Sequence, residues 1–272
     1  MSRKNFYDVL NELKFDAEKE YERLVTLVKD EDFGFFNDDY YTLYSYINLY
    51  HFRRYSFRGT FITLNEMWGT LFPGYSLVED LFLLCEFLLS FLDAQSYNIR
   101  SFNTLEAEGQ IETVFQNIER ICEKTNHCIV EQKGGRKIII EKNAATTQAV
   151  QLVEDLSVSS GILEYMHYSL KGHLEEKRQI LLSLGNYIEP MLKSHVLKNA
   201  GYGKIESDIG FLLNNMNIRH NNLEGTKRKE YTASLTKDEL EEWYDKTYNT
   251  ILAAIILKEQ IAVSAEIKSL ES

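Results

Sequence analysis

Two prolines and 14 glycines in 272 residues leave little punctuation for the many turns of an all-β protein. Helix is therefore the expected state for most of the chain. Cysteine is also scarce: Cys85, Cys122 and Cys128 are an odd number without metal-ligand spacing, and with no signal peptide they read as reduced thiols of a cytoplasmic protein. The most apolar runs, 81–92 and 251–257, are too short to cross a membrane, so no membrane partner is expected. No nucleophile elbow occurs, and the Gly134-Gly135 pair lacks the strand–loop–helix context of a phosphate loop. His167 and His173 do not sit side by side on one helix, so neither a metal nor a cofactor is expected.

The chain has an excess of acid, with a formal net charge of -11 and a pI near 5.1. Such a field repels polyanions, and a nucleic-acid role would need a local basic patch. A length of 272 residues is enough for one large or two small cores.

Apolar residues recur at helical spacing through Asn5–Lys29. A tyrosine-rich run from Asn37 to Thr60 includes Tyr40, Tyr41, Tyr44, Tyr46, Tyr50 and Tyr55. Beside Arg53, Arg54 and Arg58 these rings have the makings of a base-stacking surface, and equally of a core helix with hydroxyls at its edge. Pro73-Gly74 marks a turn, and Ser76 with Glu79 has capping-box spacing before a helix over Leu77–Leu92. Residues 95–103 read as a loop, and Ile111, Val114, Phe115, Ile118 and Ile121 form another helical face. The period then changes from helix to strand: 128–141 reads as a β-hairpin turning at Gly134-Gly135.

Helix resumes from Thr147, breaks near Gly172 and returns over Glu175–Lys193, which Pro190 should kink or end. Gly201 and Gly203 supply a turn, and Thr236 with Glu239 forms a second capping box for a last helix. The expected fold is thus mainly α: a helical region over 1–126, a short β-hairpin and linker over 127–146, and a helical bundle over 147–272.

Chemistry concentrates in Phe211–Asn222. If this stretch is helical, at about 100° per residue Ile205, Ile209, Leu212, Met216 and Leu223 share a narrow face, with Arg219 and His220 on its shoulders. Asn215 and Asn222 lie farther round on the Arg219 side. A permanent cation beside a side chain that titrates near neutrality suits a phosphodiester. The same residues fit a structural role, with Arg219 paired to a carboxylate of the last helix and His220 capping or packing. Lys227, Arg228 and Lys229 make a local basic loop that suits a phosphate backbone or a solvated turn.

From about Thr147 the chain resembles the HEPN-type helical domain of AbiJ-like bacterial abortive-infection proteins. The likeness rests on the helix–break–helix at Tyr165–Arg178, on Tyr187–Lys193, and on the Asn-Ile-Arg219-His220-Asn-Asn run. It implies a small helical bundle, frequent homodimerisation and, often, a metal-independent endoribonuclease. In that family's motif an Arg and a polar neighbour precede a His a few positions on. Arg219 and His220 match the first two; the His would fall at Glu224, Gly225 or Thr226, and none of these is His. Two functions follow as expectations. One is an abortive-infection or toxin-type ribonuclease with Arg219 and His220 as its catalytic pair and Asn215, Asn222, Lys227, Arg228 and Lys229 contacting RNA. The other is a non-enzymatic regulator or adaptor that binds a protein partner.

Overall fold

The computed structural model describes residues 14–29, 42–48, 52, 59–93, 105–132 and 135–270. The first residues of the Asn5–Lys29 helix, the Arg53, Arg54 and Arg58 cluster, most of the tyrosine-rich run, the loop over 95–103 and Gly134 lie outside them. What is described is mainly helical, with one two-stranded antiparallel hairpin. The chain divides into two compact units, the first formed by 1–130 with 136–139 and the second by 131–135 with 140–272. The division falls inside the hairpin, whereas the sequence placed the boundary after it, near Thr147.

In the first unit, α1 (Ala17–Lys29) buries Tyr21, Leu24 and Val28, spaced one helical turn apart. It packs against α2 (Leu43–Tyr46), α4 (Val78–Asp93) and α5 (Leu105–Lys124). Helix α3 (Leu64–Leu71) starts at Thr63, whose hydroxyl accepts from the Glu66 N–H, and adds Trp68 to an aromatic cluster with Phe72 and Phe87. The start of α4 differs from the expected Ser76–Glu79 box. The Asp80 carboxylate, one residue on, accepts from the N–H groups of both Ser76 and Leu77 at 2.8 Å. A carboxylate in the first turn caps as well as a hydroxyl does, and it also meets the positive end of the helix dipole. Strands β1 (His127–Glu131) and β2 (Lys137–Glu141) bear out the hairpin.

The second unit is a bundle around one long helix. Its elements are α6 (Ala144–Leu152), α7 (Leu156–Tyr165), α8 (Leu174–Lys193), α9 (Val196–Asn199), α10 (Gly203–Asn215), α11 (Glu230–Ala233) and α12 (Lys237–Leu270). Helix α12 packs on α6, α8 and α10 and contributes Leu240, Tyr244, Tyr248, Ile251, Leu252 and Ile255 to the core. The capping box expected at its start is complete: Thr236 N–H donates to Glu239 at 2.8 Å, and Glu239 N–H donates back to the Thr236 hydroxyl at 3.2 Å. A second N-cap, Asp155, accepts from Ser157 and Val158 and separates α7 from α6. Helix α8 ends at Lys193, within a turn of Pro190, as that residue's missing N–H and fixed φ imply. Where α8 meets α10, a Cβ on Gly185 would stand 2.9 Å from the end of the Leu213 side chain, which would have to shift to admit it.

An ionic group centred on a buried lysine crosses this bundle. Lys177 of α8, 7 % exposed, donates to Asp245 at 2.9 Å and lies 2.7 Å from a Glu241 oxygen, both on α12. The Tyr165 hydroxyl also donates to Asp245, at 2.9 Å, and its ring stacks on Tyr248 with centroids 4.1 Å apart. Tyr248 in turn donates to the Ile162 carbonyl at 2.8 Å and meets the Thr146 hydroxyl. Burial, then the neighbouring Asp245 carboxylate, push the Tyr165 hydroxyl far above the ordinary tyrosine range. It stays a neutral donor.

Burial also works to raise the Glu241 carboxyl, but the Lys177 ammonium and the Gly172 N–H outweigh it and hold the group below the ordinary glutamate value. A carboxyl depressed in the folded state contributes stability above its unfolded pKa and loses it as pH falls through the folded one. Lys177→Met removes the main cause of that depression. The gap in thermal midpoint between wild type and Lys177→Met is therefore expected to be widest at neutral pH and to shrink as pH falls to about 3, read by circular dichroism melts. A gap independent of pH would contradict this role for the pair.

Candidate functional site

The helix that was to run through Asn222 stops earlier. Helix α10 ends at Asn215, and Asn217 takes a left-handed backbone, φ 57°. Asparagine is among the few residues that adopt this conformation readily, and it commonly closes helices. The apolar face holds as far as the helix does: Ile209, Leu212 and Met216 are buried, and Ile205 packs against the same core. Beyond it, Ile218 is fully buried and anchors the chain, and Arg219 N–H closes back on the Leu213 carbonyl at 2.9 Å.

Two asparagines then fix a loop. Asn217 N–H donates to the Asn222 side-chain oxygen at 2.8 Å, and Asn222 N–H donates to the Asn217 side-chain oxygen at 3.1 Å. The Asn222 amide also donates to the Lys227 carbonyl at 3.0 Å, and Lys229 N–H donates to the Asn222 carbonyl at 2.8 Å. The Asn217 carbonyl accepts from Arg178 of α8 at 2.7 Å, which ties the loop to the bundle. A neighbouring amide, Asn221, accepts from Leu223 and Glu224 N–H, and the Thr232 hydroxyl of α11 donates to the Asn215 carbonyl at 2.7 Å.

These bonds sort the expected site residues. Asn222, 1 % exposed, spends its amide inside the loop and presents nothing to solvent. Asn215 uses its side chain to cap its own helix at the Phe211 carbonyl. Arg219 projects from the loop and pairs with Glu189 of α8 at 3.3 Å; its carboxylate partner is on this helix, not on the last one. The Lys193 ammonium first, and the Arg219 guanidinium second, hold the Glu189 carboxyl below its usual value. His220 is exposed, as are Lys227 and Arg228, while Lys229 is half-buried. Through Asn222 the loop thus brings the basic tripeptide against the segment that carries Arg219 and His220. Among the described residues, no three His, Cys, Asp or Glu side chains gather as a metal-binding group, and no helix is long and apolar enough to cross a membrane.

A partly open guanidinium–carboxylate pair contributes little stability, because both groups keep access to water. The contact is a single one, Nη2 to Oε2, and a phosphate oxygen accepts from a guanidinium as a carboxylate oxygen does. No protein-family model matches the chain, and neither a curated protein nor a solved structure is detectably similar to it.

From sequence the stretch reads as one continuous helix, and what ends that helix and shapes the loop lies partly elsewhere in the chain. Arg178 and Lys177 sit on a helix whose partners are far along the chain, and neither was singled out. Because Asn222 is buried with its amide in use, Asn222→Ala is expected to cost about 1–3 kcal/mol in urea unfolding. A cost within error of zero would mean that the clamp does not hold the loop.

Proposed function

We propose that the second unit acts on RNA through the 216–229 loop, as a metal-independent endoribonuclease of the abortive-infection type. Arg219 would bind and neutralise the scissile phosphate in place of Glu189, and His220 would transfer the proton. The observation that carries this reading is the delivery of Arg219, His220, Lys227 and Arg228 by one hydrogen-bonded loop, in a chain otherwise dominated by acid. The resemblance to HEPN-type domains supports it, and extends it to a homodimer in which two such loops share a groove.

A second reading is favoured by two observations: the -11 charge, and Glu224, Gly225 and Thr226 standing where the family's His would be. On that reading the protein is a regulator or adaptor whose acidic surface covers a basic protein partner.

The two part company in one assay, in which purified protein is incubated with mixed structured and single-stranded RNA in EDTA. Cleavage is expected, with Arg219→Ala and His220→Ala each slowing it about 100-fold or more. No cleavage by the wild type, or cleavage unchanged in both variants, would remove the catalytic reading and leave the adaptor.

A further inference from the structure

We infer that the corner between α10 and α11 is a stacking platform for the unpaired bases of single-stranded RNA; this deepens the proposed RNA-directed reading and rests on it. Phe211 of α10 and Tyr231 of α11 are 49 % and 48 % exposed. Their rings lie within 18° of parallel, with centroids 6.3 Å apart. Two large aromatics set nearly parallel at a surface leave π-faces that water satisfies poorly and a nucleobase satisfies well.

The pair is held in place from beneath. Thr232, the residue after Tyr231, is fully buried and donates to the Asn215 carbonyl at 2.7 Å. The Asn215 amide donates to the Phe211 carbonyl at 2.8 Å, so a short run of hydrogen bonds sets the backbone that carries one ring against the backbone that carries the other. Lys229 N–H, two residues before Tyr231, is bound to the Asn222 carbonyl, which links the platform to the loop that bears Arg219 and His220.

The surrounding charge selects the partner. Lys227, Arg228 and Lys229 directly precede the helix that carries Tyr231. Of the acidic groups near them, Glu230 is paired with Arg228, and Asp208, one turn before Phe211, is paired with Lys204. Aromatic faces beside cations match a strand that offers bases and phosphates together. A duplex hides its base faces in the stack, so only the basic loop would meet it.

Binding is to be read by fluorescence anisotropy with a labelled, unstructured 2′-O-methyl RNA strand, which lacks the hydroxyl needed for cleavage, and with the same strand annealed to its complement. Phe211→Ala and Tyr231→Ala are expected to weaken single-strand binding about tenfold each and to leave duplex binding unchanged, while Tyr231→Phe keeps wild-type affinity. Both aromatics are at the surface, and unchanged circular dichroism melts will show that the variants fold. If Lys227→Ala and Arg228→Ala weaken single-strand binding but the aromatic variants do not, the platform is overturned and the RNA reading stands. If the wild type binds neither form, both fall, and the corner is left to a protein partner.

Discussion

The reciprocal bonds between Asn217 and Asn222 are the constraint on which the surface of the second unit depends. Helix α10 could continue as a helix only if Asn217 kept a right-handed backbone; instead the left-handed turn and two side-chain oxygens use the N–H groups that a helix would have used. With Ile218 buried and Arg178 holding the Asn217 carbonyl, the residues up to Lys229 have little freedom left. Entropy lost at folding need not be lost again on binding, which favours a loop of this kind as a presenter of charged side chains.

The bundle beneath supplies a rigid seat. Helix α12 offers an apolar stripe over its first half, and the Lys177, Glu241 and Asp245 group fixes α8 against it at one register. Glu189 belongs to the same α8 as Lys177, and Arg178 lies beside Lys177 in sequence. The helix that locks the core therefore also positions the partner of Arg219 and the donor to Asn217.

How much of this was readable from sequence depends on how local its cause was. The Thr236–Glu239 box acts within one turn, and the hairpin rests on a period of two; each left its mark in a few residues. The mainly α fold was legible in the scarcity of proline and glycine and in the helical spacing of apolar residues. The Ser76–Glu79 spacing misled because Asp80, rather than Glu79, takes the Ser76 N–H and reaches that of Leu77 as well. The end of α10 was hidden for a different reason: Asn-rich helical periodicity and an Asn-closed loop look alike until a distant Arg178 and Ile218 decide between them. The Lys177 group could not be foreseen, since Glu241 and Asp245 stand more than sixty positions away. Of the candidate site, the stretch and its two outward side chains were legible, while the inward role of Asn222 was not.

Amide hydrogen exchange tests the central claim, that the 216–229 loop is a fixed platform. The N–H groups of Asn217, Asn222 and Lys229 are all donors in the clamp. Their exchange should be slowed to an extent similar to that of the α10 amides, since opening any one requires breaking the loop as a unit. Exchange at these three positions as fast as in an unstructured peptide would contradict the account.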